Sequence, residues 1–212
     1  MSRHTVIWLV CLSAFLPLLG PIMARAEAPL PGELTEYQGQ KLSPFDRLYD
    51  NSIKGPQKVD GKAFRLSVSG LVDKPLSLSY EEVLALPSQT RLANLPCVEG
   101  WDEKLLFQGV PVLELLSMAG TKPRGDTVIF RSAEGYSSAL PLEFVKKARV
   151  LLAYKINGLT LDAKRGFPLQ VVAEHKLGYK WVKWVVAVEL SDQPHLGYWE
   201  KRGYPDAAET PR

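Results

Sequence analysis

Apolar and polar residues alternate along residues 64–71, whose sequence is Phe-Arg-Leu-Ser-Val-Ser-Gly-Leu. Because successive side chains of a strand point to opposite faces, this alternation predicts a half-buried β-strand. Short apolar runs bounded by turn residues predict further strands. These strands are predicted at residues 91–99, 127–132, 150–156, 169–173 and 181–190.

Three short helices are predicted between the strands. Ser79 is expected to cap a helix that continues to residue 86, because a serine side chain accepts backbone hydrogen bonds at a helix start. A second helix is predicted from residue 110, with Pro111 in its first turn, and a third over residues 140–147. Strands and short helices without regular alternation predict a mixed α+β domain.

The chain has 212 residues, enough for one domain with a complete hydrophobic core. Residues 27–62 are rich in proline, glycine and polar groups, and we expect them to form an extended arm laid on the domain. The domain itself is predicted at residues 63–205, followed by a tail at residues 206–212.

The first 26 residues have the pattern of an export signal. Residues 5–19 form an apolar run of about 15 residues, short for a bilayer span of roughly 20. Ala24 and Ala26 supply the small residues that a signal peptidase site requires. We therefore predict cleavage after residue 26, an exported or periplasmic protein, and no stable membrane span after cleavage. The alternative is an uncleaved membrane anchor.

Cleavage also changes the charge. The formal net charge of +3 falls to +1, because Arg3 and Arg25 leave with the signal and no acidic residue does. A nearly neutral protein offers no electrostatic basis for binding nucleic acid. We expect no nucleic-acid partner.

After cleavage, Cys97 is the one remaining cysteine, because Cys11 lies in the signal. A lone thiol in an oxidising compartment is either a buried small hydrophobe or a residue with a chemical role. The spacing of His175 and His195 matches no zinc site, and no phosphate-binding glycine loop is present. A nucleophilic pair of Cys97 with His175 stays open as one alternative.

The surroundings of Cys97 favour a metal ligand. The residue lies near a predicted strand end and is followed by Gly100 and Trp101, which indicates an exposed turn. A thiolate is a soft ligand for a soft or high-valent metal centre. Because one thiolate cannot hold such a metal alone, the other ligands would have to come from an organic cofactor.

Several short segments extend this pattern along the chain. They are 97–101 (Cys-Val-Glu-Gly-Trp), 107–111 (Phe-Gln-Gly-Val-Pro), 134–136 (Glu-Gly-Tyr), 153–158 (Ala-Tyr-Lys-Ile-Asn-Gly), 166–169 (Gly-Phe-Pro-Leu), 178–184 (Gly-Tyr-Lys-Trp-Val-Lys-Trp), 197–199 (Gly-Tyr-Trp) and 202–204 (Arg-Gly-Tyr). In this order and spacing they resemble the sulfite oxidase-like family of molybdopterin oxidoreductases. The resemblance runs from about residue 64 to residue 205 and is closest to the small bacterial methionine-sulfoxide-reductase-like branch.

The resemblance implies an α+β, sulfite oxidase-type molybdopterin-binding domain with a molybdenum–molybdopterin cofactor. It implies that the sulfur of Cys97 binds molybdenum and that the dithiolene of the cofactor supplies further soft ligands. Cys97 and Tyr136 are the implied catalytic residues. The implied cofactor-binding residues are Asn51, Trp101, Gly178, Tyr179, Lys180 and Lys183.

The implied activity is oxygen-atom transfer to or from a small substrate, such as a sulfoxide, with two-electron chemistry at the metal. Because no Cys-x-x-Cys-His haem motif is present, electrons are expected from a separate partner, a cytochrome or a membrane haem protein. Two departures stand out: Gln170 occupies a position where many members carry arginine, and the signal lacks an Arg-Arg pair. The alternative function is a cofactor-free binding module that retains the fold.

Overall fold

The computed structural model describes residues 28–47 and 50–210. The predicted export signal and the last two residues of the predicted tail lie outside the described residues. Within the described ranges, no helix combines the length and apolar character that a membrane crossing requires.

Strands dominate the described part of the chain. The strands are β1 (Glu36–Tyr37), β2 (Gln40–Lys41), β3 (Leu66–Gly70), β4 (Leu76–Leu78), β5 (Gln89–Pro96), β6 (Asp102–Pro111), β7 (Thr127–Ser132), β8 (Ser137–Pro141), β9 (Leu151–Ile156), β10 (Leu159–Thr160), β11 (Gln170–Val172) and β12 (Val185–Ser191). The helices are α1 (Tyr80–Leu84), α2 (Val112–Ala119) and α3 (Leu142–Ala148). Single 3₁₀ turns occur at Phe45–Arg47, Gly178–Lys180 and Glu200–Arg202.

The strands form two five-stranded sheets and one small hairpin, β1–β2. One sheet has the order β4-β3-β12-β7-β8, in which only the β3–β12 pair is parallel. The other has the order β10-β9-β6-β5, with β11 also paired to β9, and is antiparallel throughout. Helix α2 contacts β3 of the first sheet and β6 of the second, so it joins the two sheets.

Both sheets and all three helices contribute to one hydrophobic core. Val68, Leu105, Phe130 and Leu152 are completely buried within it. Burial of a leucine or phenylalanine side chain stabilises a fold by about 1.5–3 kcal/mol, and the core therefore holds the two sheets in a fixed relation. The ends of β5 and of the turn Gly178–Lys180 meet at one side of this core, where a Cβ on Gly178 would lie 3.2 Å from the carbonyl oxygen of Pro96.

The predicted α+β class is confirmed, and most predicted elements are present. Helix α1 begins as expected, because the Ser79 hydroxyl accepts from the Glu82 amide while the Glu82 carboxylate accepts from the Ser79 amide. The strands near residues 64–71, 127–132, 150–156 and 169–173 form with small shifts at their ends.

Three predicted elements are present but begin later than expected. The helix expected from residue 110 begins at Val112, because Val110 and Pro111 continue the unpredicted strand β6. The helix expected from residue 140 begins at Leu142, since the residues before it form β8. The strand expected from residue 181 begins at Val185, because Trp184 has a positive φ of 51° that interrupts the extended backbone.

Asn157 attaches the N-terminal arm to the core. Its side chain is completely buried, accepts from the Leu106 amide at 3.0 Å and donates to the Ser43 carbonyl at 2.9 Å. Its own carbonyl accepts from the Leu34 amide at 2.8 Å. One side chain thus connects β6 with the arm.

We predict that Asn157→Ala lowers the free energy of unfolding by about 2–4 kcal/mol, because two buried groups lose their partners. Asn157 also has a positive φ of 50°. The control Asn157→Gly adopts that φ without strain and should be less destabilised than the alanine variant by about 1 kcal/mol. Urea unfolding measures both values. Unfolding midpoints equal to that of the wild type in both variants would contradict this role.

Candidate active site

A cavity of about 400 Å³ opens beside the end of β5. Its walls come from separate stretches of the chain: the arm, the turn after β5, the β7–β8 turn, the segment before β11, the Gly178–Lys180 turn with the residues after it, and the C-terminal segment. The residues that line the cavity include Asn51, Cys97, Glu99, Trp101, Tyr136, Lys164, Arg165, Gln170, Gly178, Tyr179, Lys183, Trp199 and Tyr204. Of the predicted site residues, all but Lys180 line this cavity.

Cys97 lies in a tight turn that joins β5 to β6. The Cys97 amide donates to the Trp101 carbonyl at 2.8 Å, and the Gly100 amide donates to the Cys97 carbonyl at 3.1 Å. Gly100 has a φ of 86°, a left-handed conformation that glycine adopts without a steric cost. The turn leaves the thiol half-buried at the cavity wall.

Two side chains lie next to the Cys97 sulfur. Nδ2 of Asn51 is 3.7 Å and Oε2 of Glu99 is 3.8 Å from Sγ. The Glu99 carboxylate also accepts from Trp101 Nε1 at 2.9 Å and from Asn51 Nδ2 at 3.3 Å. These four residues form the group that we call the Cys97 cluster.

Glu99 was not selected from the sequence, although it lies within the 97–101 segment. Donation from the Trp101 indole, then from the Asn51 amide, lowers the pKa of Glu99, so its carboxylate is ionised at neutral pH. Burial raises the pKa of the Cys97 thiol, and the neighbouring negative charge of Glu99 adds to this effect. Without a metal ion, the thiol is therefore protonated at neutral pH.

Tyr136 is buried at the inner wall of the cavity, and its hydroxyl donates to the Tyr179 carbonyl at 2.5 Å. Burial raises the pKa of Tyr136 strongly, and the charge of Glu200 contributes. The Tyr179 hydroxyl donates to the Pro205 carbonyl at 2.6 Å, and burial raises the pKa of Tyr179 to about 12. Both phenols remain protonated and act as hydrogen-bond donors.

Lys183 contributes a cation to the cavity wall. Its Nζ donates to Asp50 Oδ1 at 2.7 Å and to the Lys164 carbonyl at 3.3 Å, and it lies 4.5 Å from the centre of the Trp184 ring. Burial lowers the pKa of Lys183, opposed by the contact with Asp50. Burial alone would raise the pKa of Asp50, but the hydrogen bond and charge of Lys183 outweigh it, and the net pKa is lowered.

The structure does not bring Lys180 to this cavity. Its side chain is only 1% exposed, and its Nζ donates to Glu200 Oε1 at 2.6 Å, Asp206 Oδ1 at 2.9 Å and the Ala139 carbonyl at 3.1 Å. An ammonium group has three N–H donors, so these contacts leave none for a phosphate. Lys180 instead fastens the C-terminal segment, which carries Trp199 and Tyr204, to the wall.

The segment before β11 adds two cations to the wall, and the first residue of β11 adds one neutral amide. Arg165 is 4% exposed and is paired with Asp162 at 2.9 Å and Asp46 at 3.3 Å. Lys164 is exposed. Gln170 is buried and lines the cavity, so an amide stands where many members of the resembled family carry a guanidinium group.

The donor set fits a metal held mainly by an organic cofactor. Among the described residues, no group of three or more His, Cys, Asp or Glu side chains could hold a metal ion. Cys97 supplies one soft sulfur donor at the wall of a roomy cavity. If its thiolate bound a metal, the remaining ligands would have to come from a cofactor.

An α+β domain with one thiol at a cavity of this kind is compatible with a cofactor-dependent oxidoreductase. The sequence profile of the oxidoreductase molybdopterin binding domain matches residues 53–199. The chain therefore belongs to the oxidoreductase molybdopterin binding domain family. This membership confirms the predicted class of enzyme, a molybdopterin-dependent oxidoreductase, and its molybdenum–molybdopterin cofactor.

Curated relatives agree with this assignment. The oxidoreductase YuiH of Bacillus subtilis (strain 168) is 36% identical over 150 residues, which cover 70% of this chain and 76% of YuiH. The putative protein-methionine-sulfoxide reductase subunit YedZ1 of Azospira oryzae is 33% identical, covering 76% of this chain and 61% of YedZ1. The protein-methionine-sulfoxide reductase catalytic subunit MsrP of Gluconobacter oxydans is 27% identical, covering 86% of this chain and 69% of MsrP.

A solved structure shares the fold. The crystal structure of the sulfane dehydrogenase SoxCD from Paracoccus pantotrophus matches with a TM-score of 0.63 and 29% sequence identity. The match covers 66% of this chain but only 41% of the SoxCD chain. Together with the family match, it confirms the predicted sulfite oxidase-type fold.

The contact between Glu99 and the thiol gives a pH-dependent prediction. Glu99→Gln should lower the pKa of the Cys97 thiol in the cofactor-free protein, because it removes a negative charge that disfavours the thiolate. The pH at which iodoacetamide labelling of Cys97 reaches half its maximum rate should therefore fall. Cys97→Ser measures background labelling of any other group. A midpoint that stays unchanged or rises in Glu99→Gln would contradict the electrostatic coupling.

Proposed function

We propose that this chain is an exported molybdenum–molybdopterin oxidoreductase that transfers an oxygen atom to or from a small substrate, with Cys97 as the protein ligand to molybdenum. The observation that carries the proposal is the half-buried Cys97 thiol at the wall of a cavity of about 400 Å³. This cavity lies largely within the part of the chain that the family profile matches.

The residues that would hold the cofactor all line the cavity. Asn51 and Trp101 belong to the Cys97 cluster, and Gly178, Tyr179 and Lys183 come from the Gly178–Lys180 turn and the residues after it. The ammonium group of Lys183 donates to Asp50 and to the Lys164 carbonyl. Its third N–H is left for an anionic group of the cofactor. When bound, the cofactor supplies the oxygen-atom exchange and the two-electron chemistry.

The protein groups around Cys97 favour a neutral substrate. Glu99 places a negative charge next to the sulfur, and Gln170 provides an amide where an arginine would attract anions. The Tyr136 hydroxyl keeps its proton and donates it in a hydrogen bond to the Tyr179 carbonyl. Tyr136 therefore adds no charge to this wall. A sulfoxide is neutral and fits such a site better than sulfite. The names of YedZ1 and MsrP as methionine-sulfoxide reductase proteins support the same substrate class.

The electron partner is proposed to be a separate protein, a cytochrome or a membrane haem protein. The sequence contains no Cys-x-x-Cys-His haem motif. The export proposal rests on the apolar segment and small residues within residues 1–26.

The first test is the metal content of protein purified from its native host, measured by mass spectrometry. We expect about one molybdenum atom per chain, since one thiolate ligates one metal centre, together with pterin fluorescence after oxidation. Cys97→Ser should lose most of the metal or alter its spectrum, because the serine hydroxyl is a poor ligand for it.

The absence of molybdenum and tungsten from well-folded native protein would contradict the enzyme proposal. It would favour the cofactor-free binding module. Equal molybdenum contents and metal spectra in wild type and Cys97→Ser would contradict the role of Cys97 alone.

A thiol enzyme that pairs Cys97 with His175 is tested separately. His175 is exposed and is not among the residues that line the cavity. We therefore expect His175→Ala to retain both molybdenum and sulfoxide reduction at the wild-type level, measured with reduced viologen as electron donor. A loss of activity with full metal content would favour the thiol mechanism.

A further inference from the structure

Residues 50–54 of the arm contribute Asn51 and Ser52 to the cavity wall, and we call them the strap. The strap is fixed at both ends. At its start, Asp50 Oδ1 accepts from Lys183 Nζ at 2.7 Å, and at its end the Lys54 amide donates to Glu134 Oε2 at 3.2 Å. The side chains of Asp50 and Lys183 are only 17% and 18% exposed, so this ion pair is largely shielded from water.

Asp50 also determines the backbone course of the strap. Its carboxylate accepts from the Ser52 amide at 3.2 Å and from the Ser52 hydroxyl at 3.0 Å. An aspartate that binds the backbone two residues later closes a local turn. Asn51 is the residue enclosed by this turn. One carboxylate therefore anchors the strap and sets the direction of the residue that follows it.

The enclosed residue contacts the candidate metal ligand. The Asn51 amide lies 3.7 Å from Cys97 Sγ and 3.3 Å from Glu99 Oε2. The strap belongs to no strand, and its two anchors are side-chain contacts with residues 80 and 133 positions further along the chain. The position of the Asn51 amide thus depends on those anchors rather than on regular secondary structure.

Lys183 is a rigid attachment point for Asp50. Its ammonium group also donates to the Lys164 carbonyl at 3.3 Å and rests on the Trp184 ring. The Trp184 side chain is completely buried and donates to the Ala163 carbonyl at 2.7 Å. The Lys183 ammonium group is therefore held by a side chain of the buried interior, and Asp50 is its charged partner.

We propose that Asp50 is a positioning residue, which holds the strap on Lys183 and thereby places the Asn51 amide against the Cys97 sulfur. The role of the sulfur as a molybdenum ligand rests on the proposed function, whereas the strap contacts do not. Asp50 touches neither Cys97 nor any reacting atom in this arrangement and acts through Asn51.

The first experiment measures hydrogen–deuterium exchange of strap peptides in the cofactor-free protein. Asp50→Asn keeps the shape of the side chain but removes its charge, and it should speed exchange of residues 51–54 on the order of tenfold or more, the value of a charge-assisted hydrogen bond. Lys183→Met removes the other partner and should have a similar effect. Glu189→Gln is the matched control, because it breaks a 2.7 Å ion pair with Arg131 outside the cavity and should leave strap exchange unchanged.

The second experiment asks whether Asp50 acts through Asn51. In cofactor-free protein, Asp50→Asn and Asn51→Ala should each change the rate of alkylation of Cys97 in the same direction, and the double variant should match Asn51→Ala alone. In the loaded enzyme, the electron paramagnetic resonance spectrum of molybdenum should change in the same non-additive way. A purely structural role of Asp50 would not produce this pattern.

Unchanged strap exchange in both Asp50→Asn and Lys183→Met would overturn the proposal, as would additive effects of the Asp50 and Asn51 substitutions. If the native protein lacks molybdenum, the proposed function fails by itself. The exchange and alkylation results in cofactor-free protein then still decide whether Asp50 positions the strap.

Discussion

The backbone turn from Cys97 to Trp101 fixes the position of the thiol at the cavity wall. The antiparallel pairing of β5 with β6 brings Pro96 opposite Asp102, and the hydrogen bond between the Cys97 amide and the Trp101 carbonyl closes the turn. The thiol, the Glu99 carboxylate and the Trp101 indole therefore converge at one edge of the sheet. The other parts of the site are arranged around this fixed group.

Buried charge is the second constraint, because a charge taken from water must be paired. Lys183 is paired with Asp50, and Lys180 with Glu200 and Asp206. These pairs have two consequences. They fasten the arm and the C-terminal segment to the wall, and the Asp50 carboxylate balances the charge of Lys183 at the cavity.

Local sequence patterns predicted the features that depend on neighbouring residues. The alternation at residues 64–71 and the serine cap of α1 gave elements close to those observed, and the segment around Cys97 led to the correct family. Strand β6 was missed because Pro111 was interpreted as lying in the first turn of a helix. Gly109 is in fact a site of close strand contact, where a Cβ would lie 2.1 Å from the Leu152 carbonyl oxygen.

The features that sequence patterns did not predict depend on partners far along the chain. Lys180 and Lys183 lie three residues apart, and both were expected to bind an anion. Only the fold shows that Lys180 meets Glu200 in the interior while Lys183 meets Asp50 at the cavity. Glu99 stood within a recognised segment, but its role depends on the distant Asn51. No pattern of local spacing contains this information.

The claim that Cys97 binds molybdenum is tested most directly by X-ray absorption at the molybdenum edge of the native enzyme. The spectrum counts the sulfur atoms bound to the metal, and comparison with a Cys97→Ser protein that still carries some molybdenum isolates the protein ligand. The account predicts one sulfur neighbour fewer in the variant. The same number of sulfur neighbours in both proteins would contradict it and would leave the cofactor as the only source of sulfur at the metal.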